Sequence, residues 1–105
     1  MKGYSVSPRA KADLDEIWTY LATKASFAIA DRVLSSIREV FERVSRQPEI
    51  GSRVGDRSPG LRFVMAGNYV VLYEIEKHKP RIRRVLHGAR DLSQFFGPEN
   101  DNPSR

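Results

Sequence analysis

The residues best suited to chemistry lie near the end of the chain, in RVLHGARD from Arg84 to Asp91. An apolar and basic run meets Gly88 there, and His87, Arg90 and Asp91 lie within five positions around that glycine. Histidine can transfer protons near neutral pH and arginine can bind anions, so the group could be catalytic. The same residues also suit a corner between a strand and a helix, because glycine permits tight turns and aspartate caps helices.

Other catalytic or metal-binding motifs are absent from the sequence. It contains no G-x-S-x-G elbow, no phosphate-binding loop and no H-E-x-x-H, and His78 and His87 have no nearby set of ligands. The absence of cysteine excludes disulfides and thiolate metal sites, and it agrees with a reducing cytosol. We therefore expect no metal, no cofactor and a cytoplasmic location.

Basic residues are concentrated in the last third of the chain. Six of them fall within fourteen positions: Lys77, Lys79, Arg81, Arg83, Arg84 and Arg90. The formal net charge is +5 and the pI is about 9.9. This charge favours an acidic partner, either a nucleic acid or a negatively charged protein segment.

Strand alternation in RIRRVLH predicts where some of these cations point. Arg81, Arg83 and His87 should share one face, and Arg84 should lie on the other face beside Ile82 and Leu86. If that second face meets the core, the Arg84 guanidinium must reach solvent or find a carboxylate. The candidate carboxylates are those of Asp13, Asp15 and Glu16.

Two helices are predicted in the first half of the chain, after a short strand in GYSVS. Ser7 followed by Pro8 is a strong helix start, and Ser26 is a second cap. Apolar residues after each cap recur at i, i+3, i+4 and i+7, and Pro48 ends the second helix. With almost no linker between them, the helices should form an antiparallel hairpin.

A sheet is predicted in the second half. The stretch from Pro48 to Gly60 reads as a loop, and three apolar runs follow it: LRFVMA, NYVVLYEIE and RIRRVLH. Short connections between them indicate hairpins, so we expect an antiparallel meander. The middle run is apolar on both faces, which is typical of a central strand covered on both sides. DLSQFF, from Asp91 to Phe96, adds a short C-terminal helix.

The fold class that these elements predict is α+β, in the order β-α-α-β-β-β with a short C-terminal helix. The helical hairpin should pack on one face of an antiparallel sheet. At 105 residues the chain suits one domain, which we place at residues 1–96, with a flexible tail at residues 97–105. No window is long and apolar enough to span a membrane, and the N-terminus lacks a signal-peptide core.

The chain resembles the RelE/ParE superfamily of bacterial type II toxins. The resemblance rests on the element order together with SPRAKADLDEIWTYLA, PGLRFVMAGNYVVLYEI and RVLHGARDL at their spacing. It implies a RelE/ParE-like fold and a cognate antitoxin whose C-terminal segment packs along the toxin. A higher-order toxin–antitoxin complex would follow, touching operator DNA only through the antitoxin.

The resemblance also implies a choice between two targets. RelE-like members cut mRNA on the ribosome, using a basic residue in the second strand of the meander, a later arginine, and a terminal tyrosine or histidine. Here the arginine falls on Arg90, but Met65 and Phe96 occupy the other two positions. ParE-like members, which RVLHGARDL resembles most, poison DNA gyrase without those groups, and we expect the chain to do the same.

These expectations assign roles to particular residues. RVLHGARD should chiefly be a corner, with Gly88 in the turn, Asp91 capping the next helix, and Arg90 anchoring that cap or contacting the antitoxin. Antitoxin- or target-binding residues are expected to be Arg62, Arg83, Arg90, Phe95 and Phe96. If the protein is instead a metal-free ribosome-dependent endoribonuclease, Arg62, His87 and Arg90 are its candidate catalytic residues. A third interpretation is that the protein is a basic module that binds nucleic acid and is not toxic.

Overall fold

A computed structural model describes residues 3–91 of the protein. The helices are α1 (Pro8–Lys24) and α2 (Phe27–Arg46), and a single 3-10 turn covers Pro48–Ile50. The strands are β1 (Ser5–Val6), β2 (Ser52–Arg53), β3 (Arg62–Ala66), β4 (Tyr69–Glu76) and β5 (Lys79–His87). The chain becomes helical again at Gly88 and is still helical at Asp91.

Both predicted helix starts are confirmed by their capping bonds. The Ser7 hydroxyl accepts a hydrogen bond from the N–H of Ala10 at 3.1 Å. Pro8 lies in the first helical turn, where a backbone N–H would have no partner within the helix and its absence costs nothing. The Ser26 hydroxyl accepts the N–H of Ile29 at 3.0 Å. Helix α1 ends at its C-cap Ala25 and α2 begins after its N-cap Ser26, so the turn between them is short and the helices run antiparallel.

The main core lies between the helical hairpin and one face of the sheet. Its residues recur at helical spacing on α2 and at alternate positions on the strands; they include Leu34, Ile37, Phe41, Val44, Val71, Tyr73, Ile82 and Val85. A second cluster on the opposite face joins Leu61, Val70, Leu72 and Leu86. Strand β4 therefore buries apolar side chains on both faces, as its sequence predicts.

The sheet has five strands in the order β1-β5-β4-β3-β2, which confirms the α+β class but not a purely antiparallel sheet. The β3, β4 and β5 strands form the predicted antiparallel meander. Strand β1 pairs in parallel with β5, so the sheet is mixed. A short hairpin loop fixes antiparallel pairing, but β1 is followed by two helices and is free to run either way.

Part of the segment predicted as a loop, from Pro48 to Gly60, is ordered against the sheet. It contains the 3-10 turn and the two-residue strand β2, which pairs antiparallel with β3 through Ser52 and Phe63 and through Arg53 and Arg62. The sequence does not predict this strand, because the segment is rich in glycine and proline and two residues are too few to show a period. The strand forms because it pairs with β3.

A β-bulge in β5 changes the predicted alternation of its side chains. Leu72 pairs with Arg84, but the next residue, Tyr73, pairs with Ile82, so Arg83 is an extra residue. Ile82 consequently joins the main core while Leu86 joins the second cluster. The prediction that Ile82 and Leu86 share a face was wrong, because strict alternation holds only where pairing is continuous.

Both predicted hairpin turns are present. Gly67 has a φ of 62° in the connection between β3 and β4, a conformation that glycine adopts without strain. Lys77 and His78 have φ angles of 52° and 72° between β4 and β5, which matches a type I′ turn. Two-residue turns of this kind fix the register of the strands on either side.

Three predictions fall on parts of the chain about which the structure gives no account. Leu92 to Phe96, including the proposed binding residues Phe95 and Phe96, lie outside the described residues, and so does the predicted tail at 97–105. Within residues 3–91, neither helix is long and apolar enough to cross a membrane.

Candidate functional site

A groove lies between α1 and the C-terminal end of β5. Its volume is about 680 Å³, and its wall carries both cations and carboxylates together with two tyrosines. The side chains that matter for its chemistry are Arg9, Asp13, Glu16, Tyr20, Tyr69 and Arg90. The RVLHGARD segment borders this groove, so the predicted corner lies beside a charged concavity.

His87 begins the helix that starts at Gly88. Its Nδ1 accepts the N–H of Arg90 at 3.1 Å, which is the bond of an N-cap side chain. Its own N–H donates to Oδ2 of Asp91 at 3.1 Å, and its ring meets Tyr69 edge-on with centroids 5.3 Å apart. His87 is therefore the N-cap of this helix, and Asp91 supports the cap from the fourth helical residue. The prediction that Asp91 begins the helix after a turn at Gly88 was wrong, because the His87 side chain caps the helix earlier and Gly88 is its first residue.

Arg90 anchors this corner through Asp91. Its Nε and Nη2 donate to the two carboxylate oxygens at 2.9 and 3.1 Å. The hydrogen bond to Asp91 raises the pKa of Arg90, and the hydrogen bond from Arg90 holds the pKa of Asp91 below its ordinary value. The guanidinium also lies over the Tyr20 ring, 5.7 Å from its centroid.

Asp13 joins α1 to the free edge of β5. Its carboxylate accepts two hydrogen bonds from the Arg84 guanidinium, at 2.8 and 3.2 Å, and one from the N–H of Val85 at 2.9 Å. The predicted pairing of Arg84 with a carboxylate of α1 is therefore confirmed, with Asp13 as the partner. Asp13 is buried, so its three bonds compensate for removing its charge from water.

Arg62 lies at the other end of the sheet and holds the segment after α2. Its Nη1 donates to the carbonyl oxygen of Gly51 at 2.8 Å and to that of Glu49 at 3.3 Å. The hydroxyl of Tyr73 donates to the carbonyl of Pro48 at 2.6 Å and accepts the N–H of Gly51 at 2.9 Å. Burial raises the pKa of Tyr73, so this hydroxyl stays protonated as a donor.

The residues predicted as catalytic alternatives do not meet in space. Arg62 lies opposite Tyr73 and His87 lies opposite Tyr69. Since Tyr69 and Tyr73 are four residues apart on β4, Arg62 and His87 are separated by about 13 Å along the strand direction. Arg83 lies on β5 beside Glu74 and Glu76, at 3.9 and 3.8 Å. Of the predicted set, only His87 and Arg90 are neighbours.

Two tyrosines at the groove were not anticipated from the sequence. Tyr20 is half exposed on α1 and supports the Arg90 guanidinium, and Tyr69 is buried beneath His87. Burial raises the pKa of Tyr69, while the charge of Arg90 lowers it. Nothing in the periodicity of α1 distinguishes Tyr20 from an ordinary exposed residue, because its role depends on the distant RVLHGARD corner.

Within residues 3–91, no group of three or more histidine, aspartate or glutamate side chains could hold a metal ion. Two of the carboxylates at the groove are already engaged, Asp13 by Arg84 and Asp91 by Arg90. Among the described residues, Arg9 and Glu16 are the charged side chains of the groove that form no ion pair. The arrangement is therefore suited to binding and to holding elements together.

Comparison with protein families matches residues 4–92 to the model of the ParE toxin of the type II toxin–antitoxin system parDE. Toxin ParE1 of Caulobacter vibrioides is 32% identical over 97 residues, covering 92% of this chain and 100% of the relative. Toxin ParE1 of Mycobacterium tuberculosis is 28% identical over 92 residues, covering 87% and 94%.

Solved structures share the fold. A chain of the chromosomal ParDE toxin–antitoxin system from P. aeruginosa superposes with a TM-score of 0.71 at 18% identity, covering 83% of this chain and 96% of that chain. A chain of the RelBE2 toxin–antitoxin complex from Mycobacterium tuberculosis superposes with a TM-score of 0.59 at 23% identity, covering 80% and 94%. At these identities the likeness concerns the fold alone.

Proposed function

Because the chain belongs to the ParE toxin family of type II toxin–antitoxin systems, we propose that it inhibits DNA gyrase and is neutralised by a cognate antitoxin. In this proposal the free toxin binds gyrase, stabilises the cleaved DNA complex and blocks replication. The family match covers nearly all of the described chain, so the proposal concerns the whole domain and not one motif.

The observation that carries this choice of target is the engagement of the groups an RNA-cutting site would need. Arg62 is bound to two backbone carbonyls, His87 uses Nδ1 as a helix cap, and Arg90 is paired with Asp91. The position of the expected base holds Met65, whose thioether cannot transfer a proton. General acid–base cleavage requires groups that can reach one substrate together, and Arg62 lies about 13 Å along the sheet from His87 and Arg90.

An antitoxin partner is supported by two further observations. The solved structures that share the fold come from toxin–antitoxin systems, and the charge of +5 favours an acidic partner. We propose a higher-order hetero-oligomer in the cytoplasm, in which operator DNA is contacted only through the antitoxin.

Among the proposed binding residues, Arg83 and Arg90 keep about half of their side chains exposed, 44% and 54%. Each guanidinium is held by carboxylates, that of Arg83 by Glu74 and Glu76 at 3.9 and 3.8 Å and that of Arg90 by Asp91, while the exposed part of each side chain remains accessible to a partner. Arg62 faces the loop it holds, so its contribution to binding would be indirect. Phe95 and Phe96 remain proposals from the sequence.

The test compares two activities of the purified protein. We expect inhibition of gyrase supercoiling and accumulation of cleaved DNA, with transcripts in translating ribosomes left intact. Arg90→Ala should reduce gyrase inhibition, whereas Lys24→Ala, a change of an exposed cation at the end of α1, should not.

Codon-dependent mRNA cleavage without any effect on gyrase would overturn the proposed target and favour the endoribonuclease. Induced expression that leaves growth and both activities unaffected would contradict a toxic function altogether. Antitoxin, added in excess, should restore supercoiling if neutralisation is correctly assigned.

A further inference from the structure

The turn between β4 and β5 departs from the residues that such a turn prefers. Lys77 and His78 have φ angles of 52° and 72°, in the left-handed region that a residue with a Cβ adopts only at a cost. A two-residue turn of type I′ forms most readily with Asn-Gly. The chain instead places a lysine and a histidine there, so this turn carries two large side chains at the expense of stability.

This hairpin tip, residues 76–79, projects from the sheet. All four residues are exposed, and they connect the two longest strands of the protein. The pairs Ile75–Pro80 and Glu76–Lys79 hold the strands in register directly beneath the turn. The fold therefore imposes the left-handed conformation without needing these particular side chains, and strained residues kept in this way are typical of functional sites.

A pocket of about 530 Å³ lies beside the tip, next to the end of α2. Its lining residues are Gln47, Pro48, Glu49, Ile50, Ile75 and His78. Ile50 is 43% exposed although it is apolar, and Ile75 is only partly buried against the main core. The pocket thus offers an aliphatic wall to a partner.

Hydrogen bonds fix the backbone of that wall. The Tyr73 hydroxyl donates to the carbonyl of Pro48 at 2.6 Å and accepts the N–H of Gly51 at 2.9 Å. Between them, the N–H of Ile50 donates to the carbonyl of Gln47 at 3.0 Å. Because the backbone is held on both sides of Ile50, the wall is formed before any partner arrives, and binding there orders little of the chain.

Positive charge surrounds the pocket. Arg46 directly precedes its lining in the chain, and Lys77 and Lys79 lie on either side of its histidine. All three are exposed, and none forms an ion pair with another described residue. Glu49 is the one carboxylate of the lining, and that of Glu76 lies 3.8 Å from an arginine of β5. The excess of cations favours an acidic partner.

From these features we infer that the hairpin tip and its pocket bind a surface loop of DNA gyrase that carries an apolar side chain between carboxylates, an inference that rests on the proposed function. The apolar side chain of the loop enters the pocket against Ile50 and Ile75. Its carboxylates face Lys77 and Lys79, which gives the contact its orientation.

The aliphatic wall favours a protein over a nucleic acid as the partner. A DNA backbone offers phosphates to the lysines, but it has no aliphatic side chain to fill a pocket between Ile50 and Ile75. The compact shape of the site favours gyrase over the antitoxin. The tip and the pocket lie together at one end of the sheet, which suits a loop of a large folded protein, whereas a segment that packs along the toxin needs an extended track.

The first test removes the side chains of the strained turn. Lys77→Asn combined with His78→Gly gives the sequence that a type I′ turn prefers, so the unfolding midpoint should rise by about 2–5 °C. The affinity of this variant for gyrase should nevertheless fall at least tenfold, as measured by titration calorimetry. A more stable protein that binds less well cannot owe its loss to unfolding. Lys24→Ala, a change of an exposed cation at the end of α1, should leave the affinity within twofold.

The second test changes the pocket. Ile50→Asp places a carboxylate where the apolar side chain of the partner is expected, and it should also weaken gyrase binding at least tenfold. Ile29→Asp is the matched control, because Ile29 is 37% exposed against 43% for Ile50 and lies near the start of α2. Its affinity for gyrase should stay within twofold of the wild type, with circular dichroism showing that both variants are folded.

Antitoxin binding by the same variants separates this inference from the proposed function. We expect the turn and pocket variants to bind antitoxin within twofold of the wild type. If both inhibit gyrase as strongly as the wild type, the inference is contradicted and the proposed function stands. Failure of the wild type to bind gyrase overturns both. A loss confined to antitoxin binding, or to binding of duplex DNA without gyrase, would assign the tip to that partner and contradict the inference.

Discussion

At the scale of single residues, Asp13 joins helix α1 to strand β5. One carboxylate on α1 satisfies a guanidinium and a backbone N–H on β5, more than seventy positions away in the chain. It also occupies the edge of β5. Asp13 is therefore a structural residue, although its charge and its place at the groove would equally suit a binding role.

Asp13→Ala should lower the free energy of unfolding by about 3 kcal/mol, because it removes the buried carboxylate that accepts from the Arg84 guanidinium and from the N–H of Val85. The lower end of the usual range applies since Arg84 retains 20% of its side-chain exposure. Asp15→Ala, which changes an exposed carboxylate on the same helix, should stay within about 0.5 kcal/mol. Chemical denaturation of both variants measures the difference, and equal losses would contradict the assigned role.

Asp91 should titrate below the ordinary aspartate pKa of about 3.9, chiefly because Arg90 donates to its carboxylate. Its contribution to stability is then complete above that ordinary value and is lost as the pH falls through the lower, folded value. A carboxyl NMR titration measures the pKa directly. In Arg90→Gln the pKa should move up toward the ordinary value, and an unchanged titration would show that another group sets it.

At the scale of elements, the segment from Pro48 to Gly51 connects the helices to the sheet. Its course depends on Tyr73, a fully buried residue of β4 whose hydroxyl bonds to both ends of the segment. Gly51 is needed because a Cβ there would lie 2.6 Å from the Tyr73 hydroxyl oxygen and 2.8 Å from the carbonyl oxygen of Phe63. The loop and the strand face thus fit together only through a glycine.

Gly51→Ala should destabilise the protein by about 1–3 kcal/mol, since the added methyl group must displace the buried Tyr73 hydroxyl or the β3 backbone. Gly60→Ala is the matched control in the same segment. A Cβ at Gly60 would meet no atom within 4 Å, so that change should stay within about 0.5 kcal/mol. Thermal and chemical unfolding of the pair test this, and a neutral Gly51→Ala would contradict the close packing.

At the scale of the whole molecule, one core and one mixed sheet connect the first strand to the last. Strand β1 contributes Val6 to the core and pairs with β5, so the chain's beginning and its RVLHGARD corner belong to one cooperative unit. In the described part of the chain, the short strands β1 and β2 form the two outer positions of the sheet.

Residues 1–96 are predicted to form the complete domain, and residues 97–105 a flexible tail. Deleting residues 97–105 should therefore leave the unfolding midpoint within about 1 °C and the transition two-state. Calorimetry of the full chain and the truncated chain provides the comparison. A substantial loss of stability would place part of the tail within the folded domain.

The sequence by itself determined the elements whose causes are local. Ser7, Pro8 and Ser26 fixed the helix starts, and two-residue turns fixed the hairpins of the meander. Alternating apolar residues placed β4 in the centre of the sheet. Motif spacing was also sufficient to indicate the RelE/ParE superfamily, because the sequence stretches and element order that carry the resemblance were readable without pairing information.

Only the tertiary structure decided how distant segments pair. The parallel direction of β1, the bulge at Arg83 and the two-residue strand β2 depend on neighbouring strands, and they leave no period in their own sequence. The choice of Asp13 over Asp15 and Glu16 as the partner of Arg84 has the same origin, since all three lie on α1.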